Sequence, residues 1–170
     1  MDYFSHGFWS YIFFHRISKP WYAVLFGLLP DTLSWAVYFV YNLFNGTHFG
    51  VSSIPTWVFT LYGISHSLIF AGVVILLIYF LLRKVPVYIF AWPIAILMDI
   101  PTHSREFLPT PFLWPVSDWY FPGFSWGSRW FMIANWSLII LILIYLVLER
   151  KGLIPKVKQM LSKLSFSDKQ

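Results

Sequence analysis

Long apolar runs, broken by charged or proline-bearing steps, divide the chain. Residues 3–18 are apolar and aromatic, interrupted by His6 and by His15 and Arg16, and close at Lys19 and Pro20. Residues 21–44 form a longer run containing Pro30 and Asp31, and residues 45–56 are uncharged and turn-rich. The run 57–82, closed by Arg83 and Lys84, predicts one long helix. Residues 86–100, marked by Pro86 and Pro93, predict a shorter one. A loop over 101–129 follows, with five prolines and Trp114, Trp119 and Trp126, aromatics suited to a membrane–water interface. Residues 130–149 predict the last span: Trp130–Leu148 holds one polar amide and one serine, and as a helix crosses about 30 Å of hydrocarbon. The pattern predicts an all-α polytopic transmembrane bundle of four to five spans, residues 1–152, with an interfacial Pro/Trp-rich loop. The count turns on residues 3–18, which reach about 24 Å as a helix. Five spans would bring His6 to the side of the membrane that holds His103.

Composition sharpens this picture. Of the 170 residues 58% are hydrophobic and only 11% charged, against about 25% charged in ordinary soluble domains. With no cysteine, disulfides, thiolate metal sites and a cysteine nucleophile are excluded. The first residues lack the basic region and small-residue cleavage site of a cleavable signal peptide, so none is expected. Ten of the twelve basic residues fall at alternating ends of the runs, at Arg16, Lys19, Arg83, Lys84 and from Arg150 onward; Arg105 and Arg129 fall opposite. The positive-inside rule then places the carboxy terminus in the cytoplasm and the 101–129 loop outside. The basic tail, 153–170, has Leu153, Ile154, Val157, Met160, Leu161 and Leu164 on one helical stripe. It predicts an amphipathic helix against anionic inner-leaflet lipids, or a plain basic tail obeying the same rule.

The chemistry lies in the polar residues of the apolar runs. An ionisable side chain at membrane depth costs a few kcal/mol, so it needs a partner or a function. Asp31, His66, Asp99 and, at a boundary, His103 meet that description. Each of the first three shares a helical face with small residues: Gly27 and Ser34 beside Asp31, Gly63, Ser67 and Ala71 around His66, Ala91 and Ala95 before Asp99. Such faces pack closely against neighbouring helices. Asp99 and His103 are four residues apart, and Pro101 predicts that they straddle a helix end. Two aspartates and two or three histidines suit a divalent metal, zinc above all, with manganese and iron compatible. An Asp–His network satisfying itself, or a proton pathway, would use the same residues. His15 and His48 read as interfacial and solvated. Glu106 is either a base assisting Asp99 and His103 or a partner of Arg105. No glycine-rich phosphate loop and no basic-aromatic nucleic-acid face occurs.

In order, His6, Pro30-Asp31, His66-Ser67, Asp99 and Trp114-Pro115 resemble the motifs of a bacterial family: the YdjM-like membrane-bound metal-dependent hydrolases, described as LexA-binding inner-membrane proteins. The resemblance covers most of residues 6–118. Two features depart from it: Ala95 stands where the family has a histidine, and Leu61-Tyr62 where it often has His-Arg. The resemblance implies a bacterial inner-membrane metal-dependent hydrolase, and a site roofed by an interfacial aromatic loop suits a lipid-linked or phosphoester substrate at the bilayer surface. The resemblance also implies a metal at His66, Asp99, Asp31 and His6, with His103, one turn beyond Asp99, standing in for the histidine absent at Ala95; the residues' own chemistry adds Asp99, His103 and Glu106 as the catalytic candidates. The alternative is a non-enzymatic membrane protein, a proton-linked transporter or scaffold, with a structural Asp–His network. Membrane lipids are its expected partners in either case; oligomeric state is not legible.

Overall fold

The computed structural model describes residues 1–47, 50, 54–106 and 108–154. His48 and the tail beyond Ile154 lie outside the described residues. Every regular element among the described residues is helical. They form two units, Met1–Met132 and a second starting at Ile133.

In the first unit α1 (Tyr3–Phe14) starts at Asp2, whose carboxylate accepts the Ser5 amide at 3.0 Å. Next, α2 (Pro20–Asp31), a π-helical turn (Thr32–Ala36) and α3 (Val37–Asn45) run on as one 26-residue span. The wide turn has a local cause. Pro30 has no amide hydrogen to donate inside the helix, which frees a carbonyl upstream. Nearby hydroxyls bond carbonyls of this region: Thr32 Oγ1 donates to Leu28 O at 2.8 Å and Ser34 Oγ to Pro30 O at 3.1 Å. Gly46, in the left-handed region, ends α3.

The single helix expected over 57–82 is instead two, α4 (Thr56–Ser65) and α5 (Leu68–Leu82), bent by 55°. His66 and Ser67 leave the helix. Ser67 caps α5 by accepting the Phe70 amide at 3.1 Å, and the Leu68 amide donates to the carbonyl of Phe112 in the proline-rich loop at 3.0 Å. A break at membrane depth is tolerated only where protein satisfies the freed groups, as this loop does.

A short 3₁₀ turn (Val87–Phe90) leads into α6 (Ala91–Thr102). The helix continues through Pro101, and His103 is its extended C-cap, so Asp99 and His103 do straddle the end. The last carbonyls are taken up by the returning loop: the Phe124 amide donates to Pro101 O at 3.0 Å and the Trp126 amide to Thr102 O at 2.9 Å. Gly123 makes this possible, since a Cβ there would overlap the Pro101 and His103 carbonyl oxygens.

Two clusters of apolar side chains hold the unit together. One joins Phe14, Ala23 and Ala91; the other joins Ala71, Trp92 and Ile96, with Phe26, Leu29 and Phe112 against it. In α5, by contrast, Leu76, Leu77, Phe80 and Leu81 are exposed, as lipid-facing positions are. The final helix, α7 (Arg129–Arg150), has 22 residues. Two helical runs, Pro20–Asn45 and Arg129–Arg150, are thus long and apolar enough to cross a membrane, and α4 with α5 makes a third if the bent pair is one span. The run Val87–Thr102 is apolar but shorter.

Candidate functional site

Four helices bring their ionisable residues to one place. α1 presents His6, α2 ends at Asp31, the α4–α5 break carries His66, and α6 carries Asp99. The small residues beside them explain the approach. A Cβ on Gly27 would overlap Ser10 Oγ, so α1 and α2 close to a distance no larger residue allows. Ala91 and Ala95 are fully buried on the Asp99 face. Trp92 of α6 donates its indole hydrogen to Ser65 O at 2.8 Å, tying α6 to the break beside His66. Gly63 is close-packed too, but its neighbour is the Trp114 indole of the loop, 3.4 Å from a built Cβ, rather than another helix.

The distances are short. His6 Nε2 lies 3.0 Å from Asp99 Oδ1 and 3.9 Å from Asp31 Oδ2. His66 Nε2 lies 3.5 Å from Asp31 Oδ1 and 3.6 Å from Asp99 Oδ2. His103 Nδ1 lies 3.4 Å from Asp99 Oδ1. His6, His66, Asp99 and His103 are buried, and the Asp31 side chain retains 14% exposure. The Met1 amino group also contacts Asp99 Oδ1.

Hydrogen bonding assigns the nitrogens. His66 Nδ1 is 3.2 Å from Tyr62 O and 3.0 Å from the Ser65 hydroxyl. A carbonyl only accepts, so Nδ1 carries the hydrogen and a neutral His66 turns the lone pair of Nε2 toward both carboxylates. Among the described residues neither His66 Nε2 nor Asp99 Oδ2 has a hydrogen-bond partner. Tyr62 stacks on the His66 ring at 3.9 Å between centroids and donates its hydroxyl to Leu108 O at 3.3 Å. His103 differs: its Nδ1 lies 3.1 Å from Asp99 O, so it donates to the backbone and stands at the rim of the cluster. Beyond the helix end, burial holds this imidazole down to about 4, against the upward pull of Asp99.

The structure therefore brings together His6, Asp31, His66, Asp99 and His103. Glu106 lies apart. It is exposed and lines a cavity of about 490 Å³ with Arg105, Phe59 and Trp114, while Asp31 and His103 line another of about 470 Å³. Tyr62 and Leu108 belong to both walls. Sequence reasoning missed Tyr62 as the wall behind His66 and the loop carbonyls that support the break. The serine pair around His66 was the available signal, since Ser67 is a helix-capping residue inside an apolar run. Among the described residues no group of three or more histidines or acids is arranged to hold a metal ion as it stands.

Comparison with protein-family models, curated proteins and solved structures finds no match to this chain.

Proposed function

We propose that the chain is a bacterial inner-membrane, metal-dependent hydrolase with four to five spans and a cytoplasmic carboxy terminus, acting on a lipid-linked or phosphoester substrate. The observation carrying it is the pair of buried acceptors His66 Nε2 and Asp99 Oδ2, unpartnered among the described residues, with Oδ1 of the partly exposed Asp31 facing His66 Nε2 as well. Lone pairs and anions confronting each other away from water are costly without a cation between them. The separations of 3.5 and 3.6 Å support a metal. Atoms bound at about 2.0–2.2 Å around a tetrahedral ion stand roughly 3.3–3.6 Å apart. The donor set thus fits a divalent ion once the carboxylates turn toward a common point, even though no ready-made group exists without that turn. The motif resemblance supports the same residues.

Asp31, His66 and Asp99 would hold the ion, with His6 as a further ligand; zinc fits best, manganese or iron next. A metal bound there supplies Lewis acidity to polarise the scissile group. The chain's own residues do the rest. The Tyr62 carbonyl fixes the His66 tautomer and ring, the role outer partners play at metal histidines. His103, neutral because it is buried and set at the cavity edge, is placed to take or deliver a proton at Nε2.

One contrary observation favours a second reading. The His6–Asp99 bond and the Met1 amine on Asp99 satisfy part of the cluster with no metal, as in a structural network of a transporter or scaffold. Elemental analysis of protein purified without chelator and supplemented with zinc, manganese or iron decides between them. About one metal per chain is expected; none under any supplementation overturns the hydrolase reading.

A further inference from the structure

The cavity of about 470 Å³ beside Asp31 and His103 has an unusual lining for a site that handles a soluble anion. Apart from those two residues and from Met1 and Asp2 at one end of the chain, its wall is aromatic and apolar, Trp35, Ala36, Tyr62, Leu108 and Trp126 among it; no lysine or arginine side chain among the described residues lines it, and the Met1 amine is taken up by Asp99. A small soluble phosphoester is held by charge-assisted donors such as arginine. Here the nearest arginine cavity, that of Arg105, lies beyond the Tyr62–Leu108 partition.

Depth points the same way. Asp31 is eleven residues from Pro20 and fourteen from Asn45 in the 26-residue span, so it sits about 16 Å from one end and about 21 Å from the other. Trp35, Ala36 and Phe39 follow within about two turns, still at hydrocarbon depth. Phe39 lines the cavity and is 54% exposed on the outside of the span, so the cavity reaches the lipid-facing surface there. Tyr3, also half exposed, frames the opening through a 3.1 Å contact between its hydroxyl and that of Thr32, the first residue of the π-helical turn. π-helical turns recur at functional sites. At this one, small Ala36 forms the cavity wall.

We infer that this cavity takes the acyl chain of a membrane lipid, which comes in sideways from the bilayer past Phe39 and sets its polar linkage beside Asp31 and His103. The inference rests on the hydrolase reading only for what happens to the linkage; the chain subsite stands on the cavity itself. The test uses the full chain in phosphatidylethanolamine vesicles containing the same lipid with a diazirine in its acyl chain. After irradiation, adducts are mapped by mass spectrometry. Adducts are expected on the inner-wall residues Tyr62, Leu108 or Trp126 as well as on exposed Leu81. Ala36→Trp should cut the inner-wall adducts by about fivefold or more, the effect of roughly 1 kcal/mol on occupancy, and leave Leu81 labelling unchanged. Phe39→Ala, a change at an exposed position, should raise inner-wall labelling and serves if Ala36→Trp fails to fold. Adducts confined to exposed positions such as Leu76 and Leu81, or inner-wall adducts that respond to neither substitution, overturn the inference. Metal content read on the same samples separates the two proposals. Metal without inner-wall adducts removes the chain subsite alone. Inner-wall adducts without metal support the subsite and remove the hydrolase reading.

Discussion

Asp99 contacts more of the cluster than any of its neighbours: His6, His66, His103 and the Met1 amine all lie against its carboxylate. Asp99→Asn keeps the shape and removes the charge. If the carboxylate is a ligand, the variant should lose most of its metal yet remain folded. If it only balances imidazolium or ammonium groups, the main effect should be on stability, and a buried charge left without its partner costs about 3–5 kcal/mol. Elemental analysis paired with thermal unfolding in detergent reads both quantities. Metal retained at wild-type stoichiometry in Asp99→Asn would remove Asp99 from the ligand set. Metal affinity should also fall as pH is lowered, because a ligating imidazole must be neutral and protons compete with the metal for it. The pH series on wild type should show that loss, reversed on returning to neutral pH. Asp31, His66, Asp99 and His103 were legible in the sequence for one reason: each is expensive in an apolar run, so each stands out. Tyr62 and the Met1 amine were not legible. A tyrosine near a membrane is ordinary, and no spacing rule brings residue 1 to residue 99.

At the scale of elements, close packing is what delivers the residues. Gly27 and Gly72 make a controlled pair, both helical, one against Ser10 and the other with nothing within 4 Å of a built Cβ. Replacing either glycine with alanine gains up to about 1 kcal/mol of helix propensity. Gly72→Ala should keep that gain. Gly27→Ala must push α1, and His6 with it, away from α2, and a net loss of about 1–3 kcal/mol is expected. Equal melting temperatures for the two variants would show that α1 yields freely. The same logic applies at Gly63, where leucine must displace the Trp114 indole; Gly63→Leu should destabilise by about 1–3 kcal/mol more than Gly72→Leu. Small residues at helical spacing signalled which faces are tight, but not what they touch. That is why Gly63 was expected against a helix and meets a loop. The break at His66 was hidden for a related reason. Hydropathy is continuous from Trp57 to Leu82, and only the loop carbonyls of Phe112 and Trp114, supplied from far along the chain, make leaving the helix affordable.

For the whole molecule the open quantity is how the chain threads the bilayer. Two helical runs, or three with the bent pair, are long enough to cross by themselves. The remaining apolar segments, α1 and Val87–Thr102, are short, and length alone leaves them undecided. Charge supplies the direction that length does not. Ten basic residues lie at one set of ends and Arg105 and Arg129 at the other, an asymmetry from which the positive-inside rule predicts cytoplasmic basic ends. The absence of cysteine makes this directly measurable. Single cysteines at Lys84 and at Asp118, both exposed, can be treated in intact cells with a thiol reagent that does not cross membranes. Position 118, in the aromatic loop, should label and position 84 should label only after the cells are opened. The reverse result would invert the orientation. It would also put the opening of the lipid cavity in the other leaflet, because Asn45, the end of the span toward which Trp35 and Phe39 lie, is on the loop side in the orientation proposed. A cysteine at Asp2 then fixes the count. Labelling from outside means residues 3–18 cross as a fifth span, carrying His6 to the cluster from the outer side, whereas protection until the cells are opened means four spans.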